Sequence, residues 1–419
     1  MSDAALTSGQ GSADFVRVAA ALNTAFLIAI FLLEAHQPEA IPIKLGNLLL
    51  VAAGGLVVGL TALWRAEGLA PEMRVAMHDW IYLGYLCWCF GGVVWSVAPA
   101  QTMVLSIYLL AVWLATVSLA FVPTLRTVRT VFLLAVIVSV LSLAILPIAP
   151  EFAKQPDVPT GHFELRGVID HQIRLGMLLS MAIGLTALAL LNGKIDALRG
   201  AVPVSLFLLA VILCLGVLFL SRARAAGAAF VVACLLCGLM ARQRPVALAS
   251  LMALAVTFLA LLLFGDTIAA YVFEDERDAT LSGRTLLWPK VIELTERRWF
   301  SGYGYGSFYE PVFEEYWRNY RPPSAHSSWM QAAFETGLPG LALTMMLSLS
   351  LILSGIWISV ALRRISYTLF VGLFVTLSGL LDVTLAGKLN VPVVLMLLVA
   401  AQEATEFRAW HAARGRVPA

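Results

Sequence analysis

Charge is scarce in this chain. Of its 419 residues 13% are charged and 60% are hydrophobic, where soluble domains have about 25% and about 45–50%. The charges are clustered, and many stretches without them reach the roughly 20 apolar residues that cross a bilayer. That pattern excludes a single water-soluble core. The formal net charge is only +2, and nothing suggests a nucleic-acid face. Cysteine is short as well: Cys87, Cys89, Cys214, Cys234 and Cys237 all lie inside apolar segments. They read as small packing residues, neither a disulfide framework nor a metal set. Internal repeats, heptads and low-complexity tracts are absent. No cleaved leader is apparent. Asp3 and Asp14 precede the first apolar run with only Arg17 to offset them, so that run is read as a retained helix.

What is present is a succession of apolar runs. Spans are expected near 15–34, 45–63, 80–98, 101–122, 131–149, 173–191, 201–220, 226–240, 246–264, 338–360, 365–385 and 389–402. Lipid offers no partner to an unpaired backbone group, so each is expected as a helix. The fold class is an all-α integral membrane protein of about 12 transmembrane helices. With the N-terminus inside, inner loops hold Arg65 and Arg74, Arg126 and Arg129, Lys194 and Arg199, Arg242 and Arg244, then Arg363 and Arg364. Short outer loops hold little beyond Lys44 and Lys388. This positive-inside bias puts both termini in the cytoplasm. One outer turn breaks it: Ser221-Arg222-Ala223-Arg224. Four parts follow. Residues 1–264 are an N-terminal bundle of about nine spans with an outer loop at 150–172. Residues 265–337 form a large periplasmic loop, a helical cap on the bundle. Residues 338–402 are C-terminal spans, and 403–419 a cytoplasmic tail.

The cap divides into pieces. Leu286, Leu287, Val291, Ile292 and Leu294 are spaced as the apolar face of a helix, with Lys290, Glu293, Glu296, Arg297 and Arg298 on its polar face. This reads as an amphipathic helix at the membrane interface, with Trp288 and Trp299 at headgroup level. Gly302-Tyr303-Gly304-Tyr305-Gly306 suits a tight bend. It is not a nucleotide-binding loop, since no strand precedes it and no lysine follows. Phe308, Val312, Phe313, Tyr316, Trp317 and Tyr320 suit another helix, broken by Arg321-Pro322-Pro323. A fresh helix is expected near Ser328, with Gln331 completing a capping box.

Arginine beside a membrane span is costly and as a rule faces a polar cavity. Arg166, Arg174, Arg222, Arg224 and Arg284 all fall on the outer side. A guanidinium fork matches phosphate in two-point contacts, so the cluster suits a lipid diphosphate. The plainer reading pairs these arginines with Asp, Glu or lipid headgroups. Arg222 and Arg224 fit that less well, because they run against the charge bias. His326, just before a helix start, can take a proton from a sugar hydroxyl when neutral, or be an ordinary surface histidine. His162 and His171 of the other outer loop can share its cavity. No tight ligand spacing joins the three, so no metal is expected. Tyr303, Tyr305, Tyr316 and Trp317 can stack on sugars or anchor the interface. Glu310, Glu314 and Glu315 are rim residues or substrate contacts. Arg166, Arg174, His171, Tyr303, Tyr305 and Arg321 make up the binding candidates.

His326-Ser327, nine residues, then Gly337-Leu338-Pro339-Gly340 resembles the pattern of O-antigen ligases: His, then Asn, Ser or Gln, then nine residues and Gly-x-x-Gly. Leu281-Ser282-Gly283-Arg284-Thr285-Leu286-Leu287-Trp288 is similar to the Gly-Arg segment of that family and of the Wzy-type polysaccharide polymerases. The runs Gly302–Phe308, Arg166-Gly167, Gln172–Gly176 and Ser221–Arg224 resemble family segments too, so the likeness covers about residues 160–345. It implies a GT-C-like O-antigen ligase architecture in the bacterial cell inner membrane, with the active site facing the periplasm. The implied activity is glycosyl transfer from an undecaprenyl-diphosphate-linked glycan to an acceptor glycan lipid. A polymerase passes the donor to another lipid-linked repeat, a ligase to lipid A–core. The resemblance gives His326 the part of base and Arg284, Arg222 and Arg224 the part of diphosphate clamp. It implies no cofactor, metal or nucleotide sugar. Membrane lipids are partners, and a flippase and chain-length or export proteins are candidate contacts. Ser327 and Gln172 stand where Asn is common, and neither change alters a charge. The His326–Gly340 pattern favours ligation. The Gly283–Trp288 and Gly302–Gly306 runs look more like exopolysaccharide polymerases, and polymerisation is the reading preferred. Two other classes compete. A twelve-span transporter would show two similar halves, and a glycan flippase would line a deeper cavity with its arginines.

Overall fold

The computed structural model describes residues 3–35, 45–66, 75–155, 163–257, 284–310, 313, 322, 324–385 and 390–414. The apolar runs fold as helices. The first are α1 (Asp3–Leu33), α2 (Leu45–Ala66), α3 (Met77–Gly91), α4 (Pro99–Ser118), α5 (Thr124–Ile148) and α6 (Gln172–Leu191). Then come α7 (Val204–Leu220), α8 (Arg224–Gly238) and α9 (Arg244–Thr257). The chain closes with α10 (Arg284–Arg297), α11 (Ser328–Leu362), α12 (Tyr367–Leu381) and α13 (Val391–Arg414). Among the described residues there is no sheet, only isolated bridges at Ala35–Ile169 and Lys154–Leu165. Among the described residues four helices, α4, α5, α6 and α11, are long and apolar enough to cross a membrane, and six shorter apolar helices accompany them.

α6 is the buried centre. Of its apolar stretch 78% is covered by protein, against 33–44% for the other three long helices, so it is hydrophobic all round because it faces protein on every side. It packs on α5, α7, α8 and α12. Small residues let these helices approach: a side chain at Gly184 would overlap the Phe370 ring, and one at Gly176 would overlap Ala223. The second contact seats the Ser221–Arg224 turn against the first turns of α6. At the other end Glu403, fully buried, accepts from Ser366 Oγ at 2.6 Å and from the Thr368 amide at 2.7 Å, capping α12, and pairs with Arg364 at 3.2 Å. α13 continues as helix past residue 403, to Arg414.

In the segment expected as a cap, a second apolar core gathers Leu287, Val291, Leu294, Tyr303, Phe308, Phe313 and Phe334. The apolar face of α10 thus packs against protein; of the residues assigned to it, Ile292 stays exposed. Trp288 is half-buried and donates to the Ala325 carbonyl at 3.0 Å, so it serves this core. Trp299 is exposed.

The cap is fastened by backbone. α11 breaks at Gly337, with φ 65° and ψ −169°. Gly302 and Gly337 lie back to back, and a side chain on either would strike the other segment's main chain. Tyr303 N donates to Phe334 O at 3.0 Å, Gly304 N to Glu335 O at 2.8 Å and Leu338 N to Trp299 O at 2.8 Å. The Thr336 carbonyl, freed by the break, accepts from Trp88 Nε1 at 2.7 Å. On its other side the Gly302–Gly306 run is held by Val97 N, Thr102 Oγ1 and Gln101 Nε2.

Candidate functional site

The segment before α11 is pinned on three sides. The Ala325 amide donates to Gln331 Oε1 at 2.7 Å, and Gln331 Nε2 in turn donates to the buried Glu335 carboxylate at 2.6 Å. Gln331 thus reaches past the expected capping box to the peptide preceding the histidine. The Ala325 carbonyl is held by Trp288 of α10. Ser328 Oγ accepts from the Thr384 and Leu385 amides at 2.8 and 2.9 Å, and the Ser328 amide donates to Asp382 O at 3.1 Å. Between these anchors His326 is left-handed, at φ 50°, a conformation a non-glycine residue adopts at a cost of about 1–2 kcal/mol. Its Nδ1 is buried and has no hydrogen-bond partner among the described residues. Burial first, then the charges of Arg284 and His171, lowers its pKa to about 4, so the ring is neutral at pH 7.

Arg284 opens α10, one turn before Trp288, so one helix face carries both the Ala325 contact and the cation beside His326. The Arg284 charge also acts on Asp382, and so does that of Arg174. Across the cluster, His171 caps α6, its Nδ1 accepting from Ile173 N at 3.2 Å, which leaves the neutral ring's proton on Nε2. Burial lowers the His171 pKa to about 4, helped by Arg174 and Arg166 against Asp170. Arg174 pairs with Glu34 at 2.9 Å and Asp170 at 3.4 Å. Arg166 Nε donates to the Phe152 carbonyl at 2.9 Å, and its guanidinium lies 5.5 Å from that ring's centre.

The arrangement is a neutral imidazole within electrostatic reach of Arg284 and His171, with Asp382 in turn under the charges of Arg284 and Arg174. The family model described as O-Antigen ligase, Wzy_C, matches residues 209–345. Over this segment the chain is similar to the O-antigen ligase family. No curated protein matches it.

The segment matched to the O-antigen ligase family holds Arg222, Arg224, Arg284 and His326 and excludes Arg166, His171 and Arg174, of which His171 comes within electrostatic reach of His326. Arg222 and Arg224 are exposed on the turn that leans on Gly176, two residues beyond Arg174. Arg222 is also left-handed, at φ 49°. Tyr303 and Tyr305 are not presented to a ligand. Both are buried: Tyr303 stacks on Phe334 and donates its hydroxyl to Leu294 O at 2.9 Å, and Tyr305 meets Tyr85 edge-on. Their glycines need that run for the clasp, and the rings fill the space beneath it. Arg321, His162, Glu314, Glu315, Tyr316 and Trp317 lie outside the described residues. Sequence reasoning passed over Glu34, Asp170 and Asp382. Glu34 and Asp382 stand at the ends of apolar runs, and an acid at such an end was itself a signal.

Proposed function

We propose that this protein transfers a glycan from an undecaprenyl diphosphate carrier to an acceptor hydroxyl at the periplasmic face of the bacterial inner membrane. The twelve expected spans each overlap a helix, which supports a twelve-span bundle with residues 265–337 as its outer cap. One observation carries the reading: His326, with a buried unpartnered nitrogen, stands beside Arg284 within a family-matched segment.

In the step proposed, His326 takes the proton of the acceptor hydroxyl as its oxygen forms a bond to the anomeric carbon. The bond from that carbon to the phosphate oxygen breaks, and the diphosphate leaves with the electron pair. Arg284, Arg222 and Arg224 stabilise the charge that develops there, in a partly dry site where oriented donors are strongest. Arg166 and His171 line the approach. Arg174, neutralised by Glu34 and Asp170, orders the rim. The displacement inverts the anomeric centre. A base of pKa about 4 is weak for this task. A bound diphosphate offsets the Arg284 charge and raises it, so the histidine becomes a better base once the donor is in place.

Polymerisation of lipid-linked repeats is the reading preferred, on the Gly283–Trp288 and Gly302–Gly306 runs. Ligation to lipid A–core is favoured by the His326–Gly340 pattern and by the matched family's description. Purified protein in proteoliposomes, given a lipid-linked repeat with and without lipid A–core, tests both. A ladder of longer lipid-linked chains supports polymerisation, and a single adduct on lipid A–core supports ligation. Neither product, from protein that binds the donor lipid, would refute glycan transfer.

A further inference from the structure

α6 runs from His171 at the site to Asn192 at the other end of the bundle. At that other end a groove of about 620 Å³ opens between α5 and α7, walled by Phe132, Val136 and Val140 on one side and Phe207 and Ala210 on the other. Leu206 and Leu209 beside it are 55% and 59% exposed, so it opens sideways on the bundle's surface. Two arginines stand at its mouth. Arg199 is satisfied, donating to Asp196 through Nε and Nη2 and to Val202 O through Nη1. Arg129 has no hydrogen-bond or ion-pair partner among the described residues, and its guanidinium lies over Gly200, where a side chain would come within 2.7 Å of Nη2. The missing side chain gives the fork its place. From Arg129 to Val140 α5 rises about 16 Å, at about 1.5 Å per residue, which is about half of a 30 Å hydrocarbon core.

We propose that this groove is a binding site for one anionic phospholipid, its phosphate on Arg129 and an acyl chain along the α5–α7 wall. The match of charge to phosphate, and of depth to one leaflet, selects this occupant. A polyprenyl donor would have to bring its diphosphate to the opposite end of α6. The site is independent of the glycan-transfer reading.

The test uses full-length protein reconstituted in nanodiscs of phosphatidylglycerol or phosphatidylcholine, re-extracted in mild detergent and weighed by native mass spectrometry. Wild type is expected to retain one phosphatidylglycerol, with about a tenfold preference over phosphatidylcholine. Arg129→Ala should abolish the preference, and Arg129→Lys should keep part of it. Ala210→Trp, which fills the groove at the membrane-facing surface, should lose both lipids. Equal retention of the two headgroups by wild type, an unchanged preference in Arg129→Ala, or no retained lipid would each overturn the proposal.

Discussion

Replacing Gly337 by Ala should detach the cap from the bundle. Gly337 sits at φ 65° and ψ −169°, a region open essentially to glycine, where another residue costs about 1–3 kcal/mol. The added methyl also has nowhere to go: it would overlap the Phe300 carbonyl and press on Gly302 N. Both obstacles are main chain, so no rotamer change relieves them. Either Gly337 turns to a permitted conformation or the two segments part. Both put at risk the bonds from Tyr303, Gly304 and Leu338, each worth about 0.5–1.5 kcal/mol net. The sum is about 2.5–7.5 kcal/mol, charged almost wholly to cap docking. Set against about 5–15 kcal/mol for a whole protein, that suffices to open the cap while the bundle persists. Limited proteolysis of the protein in nanodiscs should cleave Gly337→Ala within residues 265–327 at least tenfold faster than wild type, and glycan transfer should fall with it. Gly59→Ala serves as control, since nothing lies within 4 Å of the new methyl; a helix interior gains about 0.5–1 kcal/mol from that exchange. Wild-type protection and transfer in Gly337→Ala would refute the clasp.

Four further outcomes are expected. His326→Gln should insert and bind donor lipid yet lose transfer by about 100-fold or more; near-normal transfer would remove His326 from the chemistry. Arg222→Ala, Arg224→Ala and Arg284→Ala should each weaken donor binding and turnover with folding intact, Lys restoring only part, and unchanged binding and turnover in all three would dispose of the clamp. The acid limb of kcat/KM should lie near pH 4 and that of kcat higher, because the bound diphosphate raises the histidine pKa; the two limbs coinciding near pH 6.5 would contradict the depressed value. His326 and His171 also bear on stability: the unfolded chain takes up their protons below about pH 6.5 and the folded chain only near 4, so stability is level above 6.5 and falls as pH drops towards 4, an effect that thermal unfolding of the double variant His171→Gln/His326→Gln should lack.

The helices and their order were legible because the bilayer writes them into composition: every apolar run became a helix. The cap was legible only in part. The spacing of Leu287, Val291 and Leu294 gave a helix, but what its apolar face would meet depends on Phe313 and Phe334, which no local pattern joins to it. The Gly302–Gly306 run announced a bend. That it mates with Gly337, more than thirty residues on, is a backbone contact with no periodicity to betray it. Tyr303 and Tyr305 were misread for this reason. An aromatic between glycines looks available, whereas here the glycines bring two main chains together and the rings are buried beneath them.

The arginines show where charge counting reaches its end. Five outer cations read from the sequence alone as one set, since no local pattern ties Arg174 to Glu34, 140 residues away, or Arg284 to Asp382. Folding sorts them. Arg174 is committed to Glu34 and Asp170, and Arg166 lies against Phe152. Both lower the proton affinity of His171. Arg284 bears on His326 and on Asp382. A site holding only cations would repel an imidazolium but would also resist closing without its ligand. Glu34, Asp170 and Asp382 let these cations gather in the empty protein, and Asp382 shares the 382–385 turn to which Ser328 is tied. The acids are therefore part of the same device as the arginines. On the proposed function a diphosphate that takes up the Arg284 charge draws it away from Asp382, so donor binding and the placing of the histidine would be coupled through the 382–385 turn.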